Sequence, residues 1–89
     1  MATLIVLRHV RSEGELATLM FKRLESSVVP VVGNEIDDTA WHQPVRIARV
    51  VCDLEGDTYK AELEDWVLPT EEEKPRRLDM MRANGWSSE

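Results

Sequence analysis

Residues 45–66 read Val45-Arg46-Ile47-Ala48-Arg49-Val50-Val51-Cys52-Asp53-Leu54, then Glu55-Gly56-Asp57, then Thr58-Tyr59-Lys60-Ala61-Glu62-Leu63-Glu64-Asp65-Trp66. Two runs rich in β-branched and aromatic residues flank a glycine-bearing turn, which is the pattern of a β-hairpin. With Gly56-Asp57 as the turn, Leu54, Cys52 and Val50 face Tyr59, Ala61 and Leu63 on one side of the ribbon. On the other side Asp53 meets Lys60 and Arg49 meets Glu64, opposite charges that contribute roughly 0.2 to 1 kcal/mol a pair. A turn at Glu55-Gly56 slips the register and pairs Arg49 with Glu62 instead. Cys52, between Val50 and Leu54, is expected to pack in the core as a small hydrophobe.

Upstream, residues 3–10 form a first strand whose centre, Leu4-Ile5-Val6-Leu7, is apolar throughout, so burial on both faces is expected. Residues 13–25 admit two readings. Ser12-Glu13-Gly14-Glu15 has the form of a capping box, and Leu16, Ala17, Leu19, Met20, Phe21 and Leu24 share a helical face. Glu13-Gly14 is equally a hairpin turn that pairs Val6 with Phe21, and the strand is the preferred reading. The following Arg23-Leu24-Glu25 and Pro30-Val31-Val32-Gly33-Asn34-Glu35-Ile36 resemble the way small SH3-like barrels enter their second strand, a likeness that implies a scaffold and no activity.

Downstream, Val67-Leu68-Pro69 ends the sheet and residues 70–74 make an acidic connector. A helix is expected from Pro75 to Asn84, because proline suits the first helical position and Gly85 a left-handed ending that folds Trp86 back on Met81. The fold class is therefore α+β and β-dominated, a small bent antiparallel sheet approaching an SH3-like open barrel, closed by a C-terminal helix. The alternative, with residues 13–25 helical, gives β-α-β-β-β-α. Residues 1–89 make a single domain, with sheet over 1–69, connector over 70–74 and helix over 75–86.

A chain of 89 residues and net charge −6 has little core to spare and no charge excess suited to phosphate backbones. Nucleic acid is therefore not an expected partner. The longest apolar run near the start is too short for a leader or a membrane span, so no membrane association is expected, and a solitary cysteine suits a reducing cytoplasm. The acidic excess lies within residues 35–69 and reads as a solvated surface.

Leu4-Ile5-Val6-Leu7-Arg8-His9 followed by Val10-Arg11-Ser12 resembles the opening of histidine phosphatases and phosphoglycerate mutases. The resemblance implies a nucleophile at His9, a phosphate-binding arginine at Arg8 and a hydroxyl at Ser12. Val10 stands where that family has glycine, the second motif has no counterpart, and the family's α/β fold needs about twice this length, so His9 is expected to be an ordinary strand-end histidine. His9, His42 and Cys52 do not fall in the paired spacing of a zinc site, and neither metal nor cofactor is expected. Enzyme activity is not expected either.

Trp41-His42, on a loop over residues 37–44 with Asp37 and Asp38 close by, is the candidate binding site, an aromatic surface with polar neighbours. The bland alternative makes Trp41 a lid over an open barrel end. Leu78, Met80, Met81 and Trp86 are the candidate interface, on the expectation that a marginal core shares apolar surface between two copies; the competing reading has the helix plug its own barrel. The expected function is a small cytoplasmic interaction or regulatory module, a homodimer that also binds a protein partner. The alternative is a small-molecule binding domain using the Trp41-His42 loop.

Overall fold

The structure, a computed structural model, describes residues 2–88. In chain order the elements are β1 (Ala2–Ser12), β2 (Thr18–Ser26), β3 (Glu35–Ile36), β4 (Val45–Asp53), β5 (Thr58–Leu63), β6 (Trp66–Leu68), α1 (Glu73–Ala83) and β7 (Ser87–Ser88). The sheet runs β3-β4-β5-β1-β2-β7, with β6 also paired to β1, and curls into an open half-barrel. It is a strand-dominated α+β fold with one C-terminal helix, and residues 18–26 are strand, not helix.

The expectation of an antiparallel sheet needs correcting. β1 is antiparallel to β2 but parallel to both β5 and β6. The most apolar strand takes the centre because only there do neighbours on both sides shield it. Each hairpin stays antiparallel internally, and docking one beside the other through β1 and β5 makes that junction parallel. Along β1 the even residues Leu4, Val6, Arg8, Val10 and Ser12 are buried, while Thr3, Ile5, Leu7, His9 and Arg11 on the other face are half-buried. Burial is thus deep on one face only.

Both hairpin registers differ from the primary expectation. Val6 pairs with Lys22, and Leu7 with Phe21, because the β1–β2 connection is longer than a tight turn. Its Gly14 takes a positive φ of 82°, and the Ser12 hydroxyl donates to Glu15 at 2.7 Å. Ser12 and Glu15 therefore meet side chain to side chain, without the side-chain-to-backbone bonds of a capping box, and close a hairpin loop. In the second hairpin Arg49 pairs with Glu62, Val50 with Ala61 and Cys52 with Tyr59, the slipped register. A loop over residues 54–57 decides it. Asp53 Oδ1 accepts from the Glu55 and Gly56 amides at 3.1 and 3.3 Å, and Asp57 adopts a φ of 50°. Such Asx turns are a local preference of Asp that a count of turn residues does not reveal. A slip of two residues leaves Val50, Ala61 and Leu63 on the core-facing side while the ion pairs change, and a bulge between Ile47 and Arg49 turns Ile47 into the core opposite Leu63. Leu54 lies in the loop at 93 % exposed. Cys52 lies beyond the covered part of the ribbon and is exposed, correcting the expectation of a packed thiol.

The helix begins two residues early, at Glu73, with Pro75 still inside its first turn where no intrahelical N–H is required. Residues 73 and 74 therefore belong to the helix and not to the connector. Its ending is as expected. Gly85 has a φ of 93°, and the Trp86 amide donates to the Met81 carbonyl at 3.0 Å while Gly85 donates to Arg82 at 3.2 Å. That pair of bonds is a Schellman ending, and it turns the chain so that Trp86 and Met81 enter the core together with Leu78. After the turn, β7 pairs with β2 through Phe21 and Ser87.

Two outcomes follow. The exchange Arg49→Glu with Glu62→Arg should recover a coupling of about 0.2 to 0.5 kcal/mol in a double-mutant cycle, since the 4.0 Å pair is largely exposed. The same exchange between positions 49 and 64 should be additive. Because Met81 is fully buried, Met81→Ala should cost about 2 to 5 kcal/mol in denaturant unfolding. A chain lacking residues 75–89 should lose its cooperative transition altogether; retention of that transition would make the helix dispensable to the core.

Candidate functional site

Between β5 and β6 the strand breaks at Glu64-Asp65, and the parallel register against β1 advances by one residue, from Leu7 beside Glu62 to Val10 beside Trp66. Arg8 sits opposite the break. Its Nε donates to the Glu64 carbonyl at 3.2 Å, and the Glu64 amide donates in turn to the Arg46 carbonyl at 3.1 Å. Backbone that would otherwise lose a ladder partner is thereby satisfied.

The guanidinium of Arg8 lies 4.7 Å from the Trp41 ring centroid and 4.6 Å from that of Trp66. Trp41 meets Trp66 edge-on at 6.5 Å and Trp86 at 5.3 Å. Each desolvated cation–π contact contributes up to about 2 kcal/mol, which offsets part of the several kcal/mol needed to bury a cation. Arg8 is only 7 % exposed. Desolvation pushes its pKa down to about 10, against the fields of Glu64 and Asp65 that hold it up, so it stays charged at neutral pH. Its Nη1 is buried without a hydrogen-bond partner.

Asp38 builds the loop that delivers Trp41. Its carboxylate accepts from the Ala40 amide at 3.0 Å and from Lys22 Nζ at 3.1 Å. Its carbonyl accepts from the Trp41 amide at 3.2 Å. The indole N–H of Trp41 donates to the Ile36 carbonyl at 3.3 Å, and the Thr39 hydroxyl donates to Asn84 at 2.7 Å, tying the loop to the end of α1.

The four residues read as a binding site divide between two cavities. Trp41 and His42 line a cleft of about 510 Å³ with Arg8, Glu35, Arg46, Glu64, Asp65 and Trp66. Asp37 and Asp38 line an apolar groove of about 370 Å³ on the other side of β3, with Leu4, Val6, Leu24, Ile36 and Ile47 as its floor and walls. Trp41 is buried in the core and His42 is exposed. Of the candidate interface, Leu78, Met81 and Trp86 are buried against the chain's own sheet, and Met80 is half-buried.

Arg8 and Ser12 face the core while His9 lies on the opposite face, 4.0 Å from Asp65, so the trio implied by the phosphatase resemblance is not brought together. Among the described residues no three His, Cys, Asp or Glu side chains cluster as a metal ion requires, and no helix is long and apolar enough to cross a membrane. The charged and aromatic cleft residues that motif reading missed are Glu35, Arg46, Glu64, Asp65 and Trp66, with Arg8 given a site role only through that resemblance. The signal for Arg8 was available: a charge at the inward parity of an apolar strand, in line with Leu4, Val6 and Val10.

Burial alone would raise the pKa of Asp38, but the Ala40 amide, Lys22 and Thr39 together lower it below the ordinary 3.8. A carboxylate depressed in the folded state contributes stability above its unfolded pKa and loses it as pH falls through the folded value. Thermal unfolding midpoints should therefore drop as pH is lowered from about 4 toward 2, and Asp38→Asn should flatten that slope; an unchanged slope would remove Asp38 from the acid response. The chain matches no known family model, no curated protein and no solved structure.

Proposed function

We propose that this chain is a small cytoplasmic interaction module that associates with a second copy of itself and presents its acidic surface to a protein partner. The observation that carries this reading is the apolar groove and its rim. Stable domains cover each apolar sheet face with a second layer. Here Leu78 and Met81 of α1 join the core cluster, while Leu4, Val6 and Leu24 line an open groove together with residues 28–31 of a strap over residues 27–34.

Pro30 anchors the strap from inside, yet Val28, Val29, Val31 and Val32 are 52 to 69 % exposed. Three of them, Val28, Val29 and Val31, line the open apolar groove, and contiguous exposed apolar surface of this kind supports an interaction site. Beyond Ile47 the outer edge of β4 has no partner strand among the described residues, which gives a second copy backbone to pair with. The candidate interface on α1 is largely taken up by the chain's own core, so the valine rim is the surface left for association. The exposed Cys52 thiol suits a reducing compartment.

Sedimentation velocity over a concentration series tests this. The wild-type chain should shift toward a dimer below about 100 μM, and Val29→Asp with Val31→Asp should hold it as a folded monomer. A monomer at every concentration removes the self-association.

A further inference from the structure

We propose that the cleft beside Trp41 and His42 binds a small zwitterion of the free amino-acid class, with Arg8 receiving its carboxylate and Glu64 with Glu35 receiving its ammonium group. This goes beyond the interaction reading and rests on a different cavity.

The guanidinium packs against two mutually perpendicular indole rings, its Nε is committed to a backbone carbonyl, and neither Nη has an acceptor among the described residues. Among the described residues no carboxylate forms an ion pair with it, whereas five ion pairs form elsewhere in the molecule. Nη1 is closed off and Nε is taken, so Nη2 is the nitrogen that Arg8, as a lining residue, offers to the cleft. A charge-assisted hydrogen bond from a guanidinium to a carboxylate is stronger than a neutral one.

An anion alone does not fit, because Glu35, Glu64 and Asp65 line the same cleft. Asp65 is engaged from outside by Arg11 at 3.6 Å, but Glu35 and Glu64 form no ion pair among the described residues. A cation alone leaves both Arg8 and the exposed Arg46 of the same cleft unmet. Only a ligand bearing both charges at short separation satisfies both sets. The half-buried face of Trp66 supplies an apolar wall, and about 510 Å³ falls within the range of small-molecule sites.

The test is calorimetric titration of the full chain with three sets of probes: free aliphatic and aromatic amino acids, their N-acetyl derivatives, which keep only the carboxylate, and their amides, which keep only the ammonium. The expected result is saturable binding of at least one free amino acid, about ten-fold or more tighter than either of its derivatives. Glu64→Gln, a change at an exposed position, should bring the free amino acid down to the affinity of its N-acetyl form. Arg8→Met should abolish binding; if that variant does not fold, the Glu64→Gln result decides. No saturable binding by any free amino acid up to about 10 mM overturns the proposal. So does equal affinity for free and N-acetylated forms, or an unchanged affinity in Glu64→Gln.

Discussion

A guanidinium buried against two mutually perpendicular indole rings sets a condition that most of this chain has to meet. Taking Arg8 out of water costs several kcal/mol unless the groups around it are held in place. Those groups come from three separate parts of the chain: Trp41 from the loop after β3, Trp66 from the start of β6, and the Glu64 carbonyl from the break between β5 and β6. Trp41 is in turn pressed against Trp86, which reaches the core only because Gly85 ends the helix in a left-handed turn. Arg8 therefore ties the middle of the central strand to the strand break, the loop and the helix ending together. Loosening any one of them exposes a cation that the other two cannot satisfy.

The same arrangement divides the concave face of the sheet. Trp41 and Trp86, with Leu78 and Met81 of α1, share the core with Val10, Met20 and Leu68, and the half-buried Trp66 packs against it. Around Leu4, Val6 and Leu24 the cover is a strap pinned by one proline, and Lys22 spans the rim to Asp38. Lys22 and Arg8 both occupy inward-facing positions of neighbouring strands, and each is met differently, one by a carboxylate and the other by aromatic faces. Inward-facing cations of this kind exclude alternative strand registers, since a slip of one residue would turn both to solvent and the outer residues inward.

Local periodicity made the strand content, the Gly85 ending and the return of Trp86 onto Met81 legible in the sequence, because each depends on neighbours a few residues apart. The pairing of β1 with β5 was not legible. Parallel neighbours separated by more than fifty residues leave no local pattern, and an apolar strand centre such as Leu4-Ile5-Val6-Leu7 says that neighbours exist without saying which. Hairpin register turned on Asp53 capping its own loop, a choice between two plausible turns that differ by little energy. At the candidate site, Trp41 and His42 were found from residue type and loop position. Arg8 was hidden because a single inward charge in an apolar strand was read with His9, which lies on the opposite face, and with Ser12, whose hydroxyl is committed to Glu15.

β3 separates the two cavities with only two residues. Glu35 lines both, Ile36 closes the groove, and the Ile36 carbonyl accepts the indole proton of Trp41. The strand itself is held by its short pairing with Val45 and Arg46, and the Asn34 carbonyl beside it accepts from the Ile47 amide at 2.8 Å. Ile36 lines the groove while its carbonyl is the hydrogen-bond partner of Trp41, and Trp41 is one of the two rings packed against Arg8. Occupation of the groove by a second copy and occupation of the cleft by a small ligand thus act on the same two residues. Any free-energy coupling between these events runs through β3 and is equal in both directions, so a ligand that favours association is itself bound more tightly by the associated form.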